Sequence, residues 1–436
     1  MPEGTTRRNF LTTGIVENLL EDPDVKITCA LDRPHYFSTY INHPRIEFIQ
    51  FKKRGRNSIL NFLLLILRSR FYSLRSNSTL ETLKKSTNLY WKENILQYPF
   101  PKSIRLYKII EGLHSFLFYP LQEIRQLFHE KQFDLVFATH LVKRDEYDYL
   151  QLAETKNIKT IGMVKSFDNL TGKGFLAFKP KKVIVWNEQI KNELKDLYDY
   201  QSENIVVTGI PQFDLYSHPP IISRKDFFHE IGLDYKKKTI LYATNASIFG
   251  PDDCENVNYI QSHLNKLNAQ MIVRLHFDDY LERYPNQKLE DVYFQVPGHE
   301  YGNTPDSRVS YKQFISELRD TLFFSDVTIN TASTMTLDAI AAKKPIININ
   351  FDYLERSKEQ SIKRYYEFVH YKPIVDFKAV DLANSKEDLI VKILSNLENP
   401  ELNAAGRKTV EEKILAGNFG DSSRRISDAI LSTLME

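Results

Sequence analysis

The side chains best suited to chemistry gather in one stretch, Asp326-Val-Thr-Ile-Asn-Thr-Ala-Ser-Thr-Met-Thr-Leu-Asp338, which continues through Ala-Ile-Ala-Ala-Lys-Lys-Pro345 into the apolar Ile346–Asn350. It reads as a strand, a polar turn, a short helix and a second strand. Ser333 and Thr334 fall at the expected N-cap, where hydroxyls and unpaired backbone N–H groups meet the positive end of the helix dipole. A phosphate or diphosphate is the guest such a turn predicts. Asp338, four residues after Thr334, shares its helical face and is placed to accept hydrogen bonds from a ribose or sugar hydroxyl. A capped helix with a solvated Asp would look the same, so other stretches must agree.

Arg274-Leu-His276 closes an apolar run, and residues two apart on an extended segment share a face. Near the Ser333 turn both would bring positive charge to a phosphate. Thr244-Asn245-Ala-Ser247 offers hydroxyls and backbone N–H groups, although turn chemistry alone explains it. Ser166-Phe-Asp-Asn-Leu-Thr-Gly-Lys-Gly174 combines Asp168, Asn169, two hydroxyls, Lys173 and two glycines, a set fit for a sugar or phosphate. The competing reading is an Asx turn in which Asp168 and Asn169 satisfy their own backbone. The pairs Asp252-Asp253 and Asp278-Asp279 read as solvated loops, and Phe351-Asp352-Tyr353 as either a rest for a base or ribose or a packed aromatic.

Positioning these groups requires strands. The first half alternates Val25–Leu31, Ile46–Phe51, Leu135–Thr139, Thr160–Val164 and Val183–Trp186 with amphipathic helical stretches, which predicts a parallel sheet covered on both faces. His218-Pro-Pro-Ile-Ile-Ser223 reads as a linker. A second alternation follows with Thr239–Thr244, Met271–Leu275, Val327–Asn330 and Ile346–Ile349, and a helix from about Ser422 to Leu434 closes the chain. The expected class is α/β, with two doubly wound Rossmann-like domains facing a cleft: residues 1–215, a linker over 216–235, a second domain over 236–420 and a C-terminal helix over 421–436. Ligands are expected at the carboxyl ends of the strands. Met1–Asn9 resembles the loop that normally follows a first strand, which points to a truncated or misassigned start.

The 436 residues are 42% hydrophobic and 12% aromatic, ample for two separate cores. Lysine plus arginine (58) nearly balances aspartate plus glutamate (56), so bulk charge does not suggest a nucleic-acid partner. Cys29 and Cys254 lack metal-ligand or disulfide spacing and fit a reducing cytosol. The apolar run Phe62–Leu67 is far below the roughly 20 residues of a membrane span. It lies within residues 52–85, where Lys52, Lys53, Arg54, Arg56, Arg68, Arg70, Arg75, Lys84 and Lys85 face one acid, Glu81. A basic, partly apolar helix there would suit an anionic membrane surface; a core helix with a basic rim would look similar.

Taken in order, Arg8-Asn-Phe-Leu-Thr-Thr-Gly14, Ser166-Phe-Asp-Asn169, Val185-Trp-Asn-Glu188, Val207-Thr-Gly-Ile-Pro-Gln-Phe-Asp214, Arg274-Leu-His276, the Ser333 turn and Phe351-Asp352 resemble the GT-B glycosyltransferase superfamily. That superfamily includes UDP-N-acetylglucosamine 2-epimerases and CDP-glycerol glycerophosphotransferases. The resemblance implies a nucleotide-activated donor held mainly by the C-terminal domain, an acceptor held mainly by the N-terminal domain, and no metal or other cofactor. On that basis Thr244, Asn245, Arg274, His276, Ser333, Thr334 and Asp338 are the expected donor side, and Glu3, Arg8, Asn169 and Lys173 the acceptor side. An inverting transfer needs a base tuned toward the working pH. Asp168 is the first candidate, His140 with nearby Asp145 the second and Glu3 the third; a retaining transfer would need none.

The leading expectation is a cytoplasmic glycosyltransferase, peripheral at the inner face of the membrane, moving a sugar from a nucleotide sugar to a surface polysaccharide or lipid-linked acceptor. A nucleotide-sugar 2-epimerase is the alternative isomerase, although Ala332-Ser-Thr334 is not the Ser-Gly-Gly turn associated with those enzymes. A CDP-glycerol-type glycerophosphotransferase would release CMP instead of a nucleoside diphosphate. An inactive polysaccharide-assembly partner would bind nucleotide without turnover.

Overall fold

The computed structural model describes residues 10–32, 34, 41–52, 58–75, 79, 104–117, 119–142, 146–173, 176, 178–247, 252–284, 291–297, 312–417 and 420–436. Glu3, Arg8 and Asp145 lie outside the described residues, as do Lys53, Arg54, Arg56, Glu81, Lys84 and Lys85 of the basic segment. The chain divides into two compact units, Met1–Gly209 with Ser423–Glu436, and Ile210–Ser422.

In the first unit, β3 (Leu135–Ala138), β4 (Lys159–Met163), β5 (Lys182–Val185) and β6 (Ile205–Val207) form a parallel sheet in chain order, and β1 (Ile27–Leu31) pairs in parallel with β2 (Ile46–Gln50) in a separate sheet. The β-branched runs Val183-Ile-Val and Ile205-Val-Val suit a sheet buried on both faces. Gly162 is required where β4 passes under Leu141, since an added Cβ would lie 2.3 Å from that side chain. Asn187 starts the helix Glu188–Tyr198, its Oδ1 accepting the Ile190 N–H at 2.9 Å. The C-terminal helix Ser422–Met435 is anchored here: Arg425 donates to the Thr208 carbonyl at 2.7 Å and Lys159 to the Leu434 carbonyl at 2.6 Å.

The helix Ser58–Leu74 packs against the helix Ile104–Leu117. The pair buries Leu60, Leu64, Leu67, Phe71 and Ile110, yet leaves Ile59, Phe62, Ile109, Leu113 and Leu117 exposed. Ile109, Leu113 and Leu117, at i, i+4 and i+8, form one outward apolar stripe continued by exposed Arg105 and Lys108. No helix among the described residues is long and apolar enough to cross a membrane.

The second unit is built on a six-stranded parallel sheet in the order β12 (Asp381–Ala383), β11 (Ile346–Ile349), β10 (Val327–Asn330), β7 (Lys238–Ala243), β8 (Ala269–Arg274), β9 (Val292–Gln295). Residues 216–235 belong to this unit. Their helix Arg224–Glu230 buries Phe227 and Phe228 against Phe324, and Arg224 donates to the Phe324 carbonyl at 2.6 Å.

Candidate functional site

The strand order reverses between β7 and β10, the two central neighbours, and in a doubly wound sheet the connections leave opposite faces there and open a crevice at the carboxyl ends. Ile329 pairs with Tyr242, and Ala243 with Arg274. Thr244-Asn245, Thr331-Ala-Ser333 and, one strand further, Leu275-His276 therefore emerge along one stretch of the same sheet edge.

The Ser333 turn departs from the expected cap. Thr334 occupies the N-cap of the helix Met335–Ala341, but its backbone is helical and its side chain makes no capping bond. Two of the turn's N–H groups also face hydroxyls inside the protein, Ser333 toward Tyr371 and Ala332 toward Tyr366. Behind the turn lies a buried network in which Asn330 Nδ2 donates to Ser333 Oγ (2.9 Å) and Thr336 Oγ1 (3.0 Å), Asn348 Nδ2 donates to Asn330 Oδ1 (2.8 Å), and the Tyr371 hydroxyl donates to Asn348 Oδ1 (2.7 Å). The turn thus presents side-chain hydroxyls of Ser333 and exposed Thr334, with Ser333 Oγ held from behind by Asn330.

Asp253 fixes the neighbouring turn. Its carboxylate accepts the Tyr242 hydroxyl at 2.7 Å and the Asn245 N–H at 2.9 Å, and Thr244 Oγ1 accepts the His276 N–H at 2.9 Å. Burial pushes the Asp253 pKa up to about 7. Asn245 is nearly buried, and among the described residues its Nδ2 has no hydrogen-bond partner. A donor left this way at the mouth of a crevice is a group a ligand can satisfy. Within the acidic pairs, Asp278 stays half-exposed as the sequence suggested, but its neighbour and the other pair do not: Asp252 is buried, Asp253 is 2% exposed and Asp279 1%, the last accepting from Tyr284 at 2.7 Å and paired with Arg283. Their protein donors make burial tolerable.

Two cation assignments change. Arg274 is turned away from the Ser333 turn, bonded to Gln295 and 3.3 Å from Glu317, with β7 between its strand and β10. Adjacent residues on the sheet edge do not imply converging side chains when a carboxylate waits on the other side. His276 does reach the edge, but Nδ1 accepts the Asp278 N–H at 3.0 Å, which leaves the proton on Nε2. Burial lowers its pKa, partly offset by Asp278 and Asp279. It is a neutral N–H donor and not the expected cation. Asp338, nearly buried, already accepts from the Tyr216 hydroxyl at 2.9 Å.

Beyond β11, Arg356 bridges Asp252 (2.7 and 2.8 Å) and Asp352 (3.2 Å), and Asp352 also accepts the Ile362 N–H at 3.1 Å. The Phe351-Asp352 segment is a clamp on this side of the sheet, a role no motif signalled.

In the first unit, Asn169 Oδ1 accepts the Ser166 N–H at 3.1 Å and its Nδ2 donates to Asp168 Oδ1 at 3.1 Å, so the Asx-type reading describes Asn169. Lys173 ends the π-helical turn that begins at Asn169. Asp168 remains half-buried at its head. His140 is buried, and beside it Glu146 takes the Thr139 N–H at 2.6 Å and the Thr139 hydroxyl at 2.8 Å. Sequence reasoning missed Glu193. This residue, on the helix that packs against the Asn169 turn, has Oε2 buried without a partner among the described residues, and burial with the nearby Asp168 charge raises its pKa to about 7. A lone Glu on an amphipathic helix gives no signal of this.

A sequence profile of the CDP-glycerol:poly(glycerophosphate) glycerophosphotransferase family matches residues 102–432. Among solved structures, a UDP-N-acetylglucosamine 2-epimerase matches with a TM-score of 0.56 at 13% identity, covering 99% of this chain and 94% of its own. MnaA of S. aureus, solved with UDP, matches at 0.52 and 12%, covering 100% and 96%. A glycosyltransferase from Rickettsia africae matches at 0.51 and 12%, covering 100% and 97%. At these identities the likeness is one of fold: two Rossmann-like α/β units of GT-B type. No curated protein matches the chain.

Proposed function

Because this chain belongs to the CDP-glycerol:poly(glycerophosphate) glycerophosphotransferase family, we propose that it transfers a glycerol phosphate, or a related polyol phosphate, from a CDP-linked donor to a hydroxyl of a growing surface polymer. The acceptor oxygen attacks the donor's distal phosphorus, the bond from that phosphorus to the bridging oxygen breaks, and CMP leaves with the electron pair while the acceptor proton passes to a base. The observation that carries this reading is the reversal of strand order between β7 and β10, where a sheet of this kind opens a crevice, and it lies wholly inside the matched residues.

In that crevice the unpartnered Asn245 Nδ2, the His276 Nε2–H and the hydroxyls of Ser333 and Thr334 would hydrogen-bond the diphosphate. These donors are neutral, so orientation more than charge would hold the donor. Asp338, fixed by Tyr216, would shape the pocket and not take a ribose hydroxyl. Asp168, with Glu193 beside it as a proton-holding partner, is the proposed base, ahead of buried His140. No metal is proposed, since Asp252, Asp253, Asp279 and Asp352 are all engaged by protein donors. The exposed apolar stripe at Ile109–Leu117 favours a lipid-linked acceptor at an anionic membrane.

Sugar transfer from a nucleoside diphosphate sugar is the second reading, favoured by GT-B likeness along the whole chain where the family match begins at residue 102. The test is calorimetry of CDP-glycerol, CDP-ribitol and UDP-, GDP- and dTDP-sugars with the native chain, Asn245→Ala and Ser333→Ala, followed by identification of the released nucleotide. CDP-polyol binding weakened by both substitutions, with CMP released, supports the proposal. A released nucleoside diphosphate selects sugar transfer. Isomerised nucleotide sugar without acceptor selects an epimerase, and binding without turnover an inactive assembly partner.

A further inference from the structure

The first unit contains a cavity of about 680 Å³ between its two sheets. Among the described residues no strand joins β1 to β3. The sheets nevertheless run the same way. Glu47, near the start of β2, pairs with Lys131, which precedes β3. Phe51, just past the end of β2, stacks on Tyr149, beyond the end of β3, at 5.3 Å.

All residues from Asp24 to Ala30 and from Phe133 to Thr139 line the cavity. A cavity over the face of a sheet would meet alternate residues, so these unbroken runs mean that it follows strand edges. The backbone agrees. The Ile27 N–H donates to Arg45 and the Leu31 carbonyl accepts from Phe51, so the odd residues of β1 face β2 and Thr28 turns its peptide groups to the cavity. On the other side the Val164 N–H donates to Ile184, so the odd residues of β4 face β3. With Ile161 opposite Phe137, this leaves the peptide groups of Leu135 and Phe137 directed to the cavity. Leu127, Phe128, Ile430 and Leu434 add an apolar cover.

An occupant of such a slot must supply N–H and C=O groups along two edges and apolar side chains above and below. A lipid tail or small apolar molecule meets only the second demand. We propose that the slot is a strand-acceptor site: it takes an extended, apolar, uncharged polypeptide segment about as long as the five-residue β1, parallel to both edges, by strand addition. Filled, it merges the two sheets of the unit into one.

The test is hydrogen–deuterium exchange by mass spectrometry on the full chain, titrated with a Val/Ile/Phe pentapeptide flanked by lysines for solubility. The same peptide N-methylated at alternate residues, and dodecanoate, serve as comparisons. Saturable binding that slows exchange about tenfold or more in residues 27–31 and 135–138 but not in 205–207, and that N-methylation abolishes, is expected. Thr28→Pro, which removes an edge donor outside the β1–β2 ladder, should weaken it further. No protection at saturating peptide, or equal protection by the N-methylated peptide or dodecanoate, would overturn the proposal.

Discussion

Asp253→Asn tests the chemistry that shapes the edge of the second sheet. The carboxylate is fully buried, and burial raises its pKa from 3.8 to about 7 against the opposing pull of its bonds from Asn245 and Tyr242. Between those values the folded protein holds a proton that the unfolded chain has released. The stabilising contribution of the group is therefore full below the unfolded pKa and is lost as pH rises through the folded one. The slope in that window is about 1.4 kcal/mol per pH unit, so from pH 5 to pH 7 the native protein should lose on the order of 3 kcal/mol from Asp253 alone. Asn is neutral throughout and close in shape to the protonated acid. Urea unfolding of both proteins from pH 5 to 8 should show the variant gaining on the native protein as pH rises, then holding level above pH 7. Glu193, whose pKa is also raised to about 7, titrates in both proteins and cancels in the difference. A difference that does not change with pH would refute the claim that Asp253 titrates in this site.

Tyr371→Phe removes the hydroxyl that serves Asn348 and Thr336 behind the Ser333 turn, and should cost roughly 1–3 kcal/mol in urea unfolding. His276→Ala should weaken donor binding about tenfold by calorimetry, the net worth of one hydrogen bond. Because burial keeps the ring neutral, native affinity should stay level as pH falls from 8 to 6.5; affinity rising over that span would show a cation at work instead. Glu193→Gln should lower kcat at least tenfold and flatten its pH profile near 7 with donor affinity unchanged, and an unaltered profile would remove Glu193 from the reaction. In vesicle flotation, Ile109→Ser with Leu113→Ser should reduce recovery on anionic liposomes several-fold; equal recovery would show that the exposed stripe does not meet lipid.

Strands buried on both faces were legible in the sequence because they leave a β-branched run, as in Val183-Ile-Val185 and, interrupted only by Asn348, Ile346–Ile349. The strands β6, β9 and β12 were not: Ile205-Val-Val207 is a run of only three residues, and Gln295 in β9 and Asp381 in β12 break the apolar pattern. That Thr244, Asn245, His276 and Ser333 would emerge along one sheet edge was legible because each follows the carboxyl end of a strand, where ligands gather in this architecture. Their behaviour could not be read. Whether Arg274 faces a phosphate depends on Glu317, forty-three positions away in the chain, and whether the Ser333 N–H groups are available depends on Tyr366 and Tyr371 beyond the next strand. Glu193 and Asp253 look like surface acids until burial is known.

The return of the last helix to the first unit sets an order of assembly. The second unit ends at Ser422, and its entry and exit are drawn together by Asp214, which accepts the N–H groups of Gly420 and Ser422, each at 3.1 Å. On a ribosome this unit is complete while the first still lacks Ser423–Glu436. The earlier-made half of the protein is thus the later to finish, its Thr208 and Ile15 carbonyls waiting for Arg425 and Ser427 until that helix has been made.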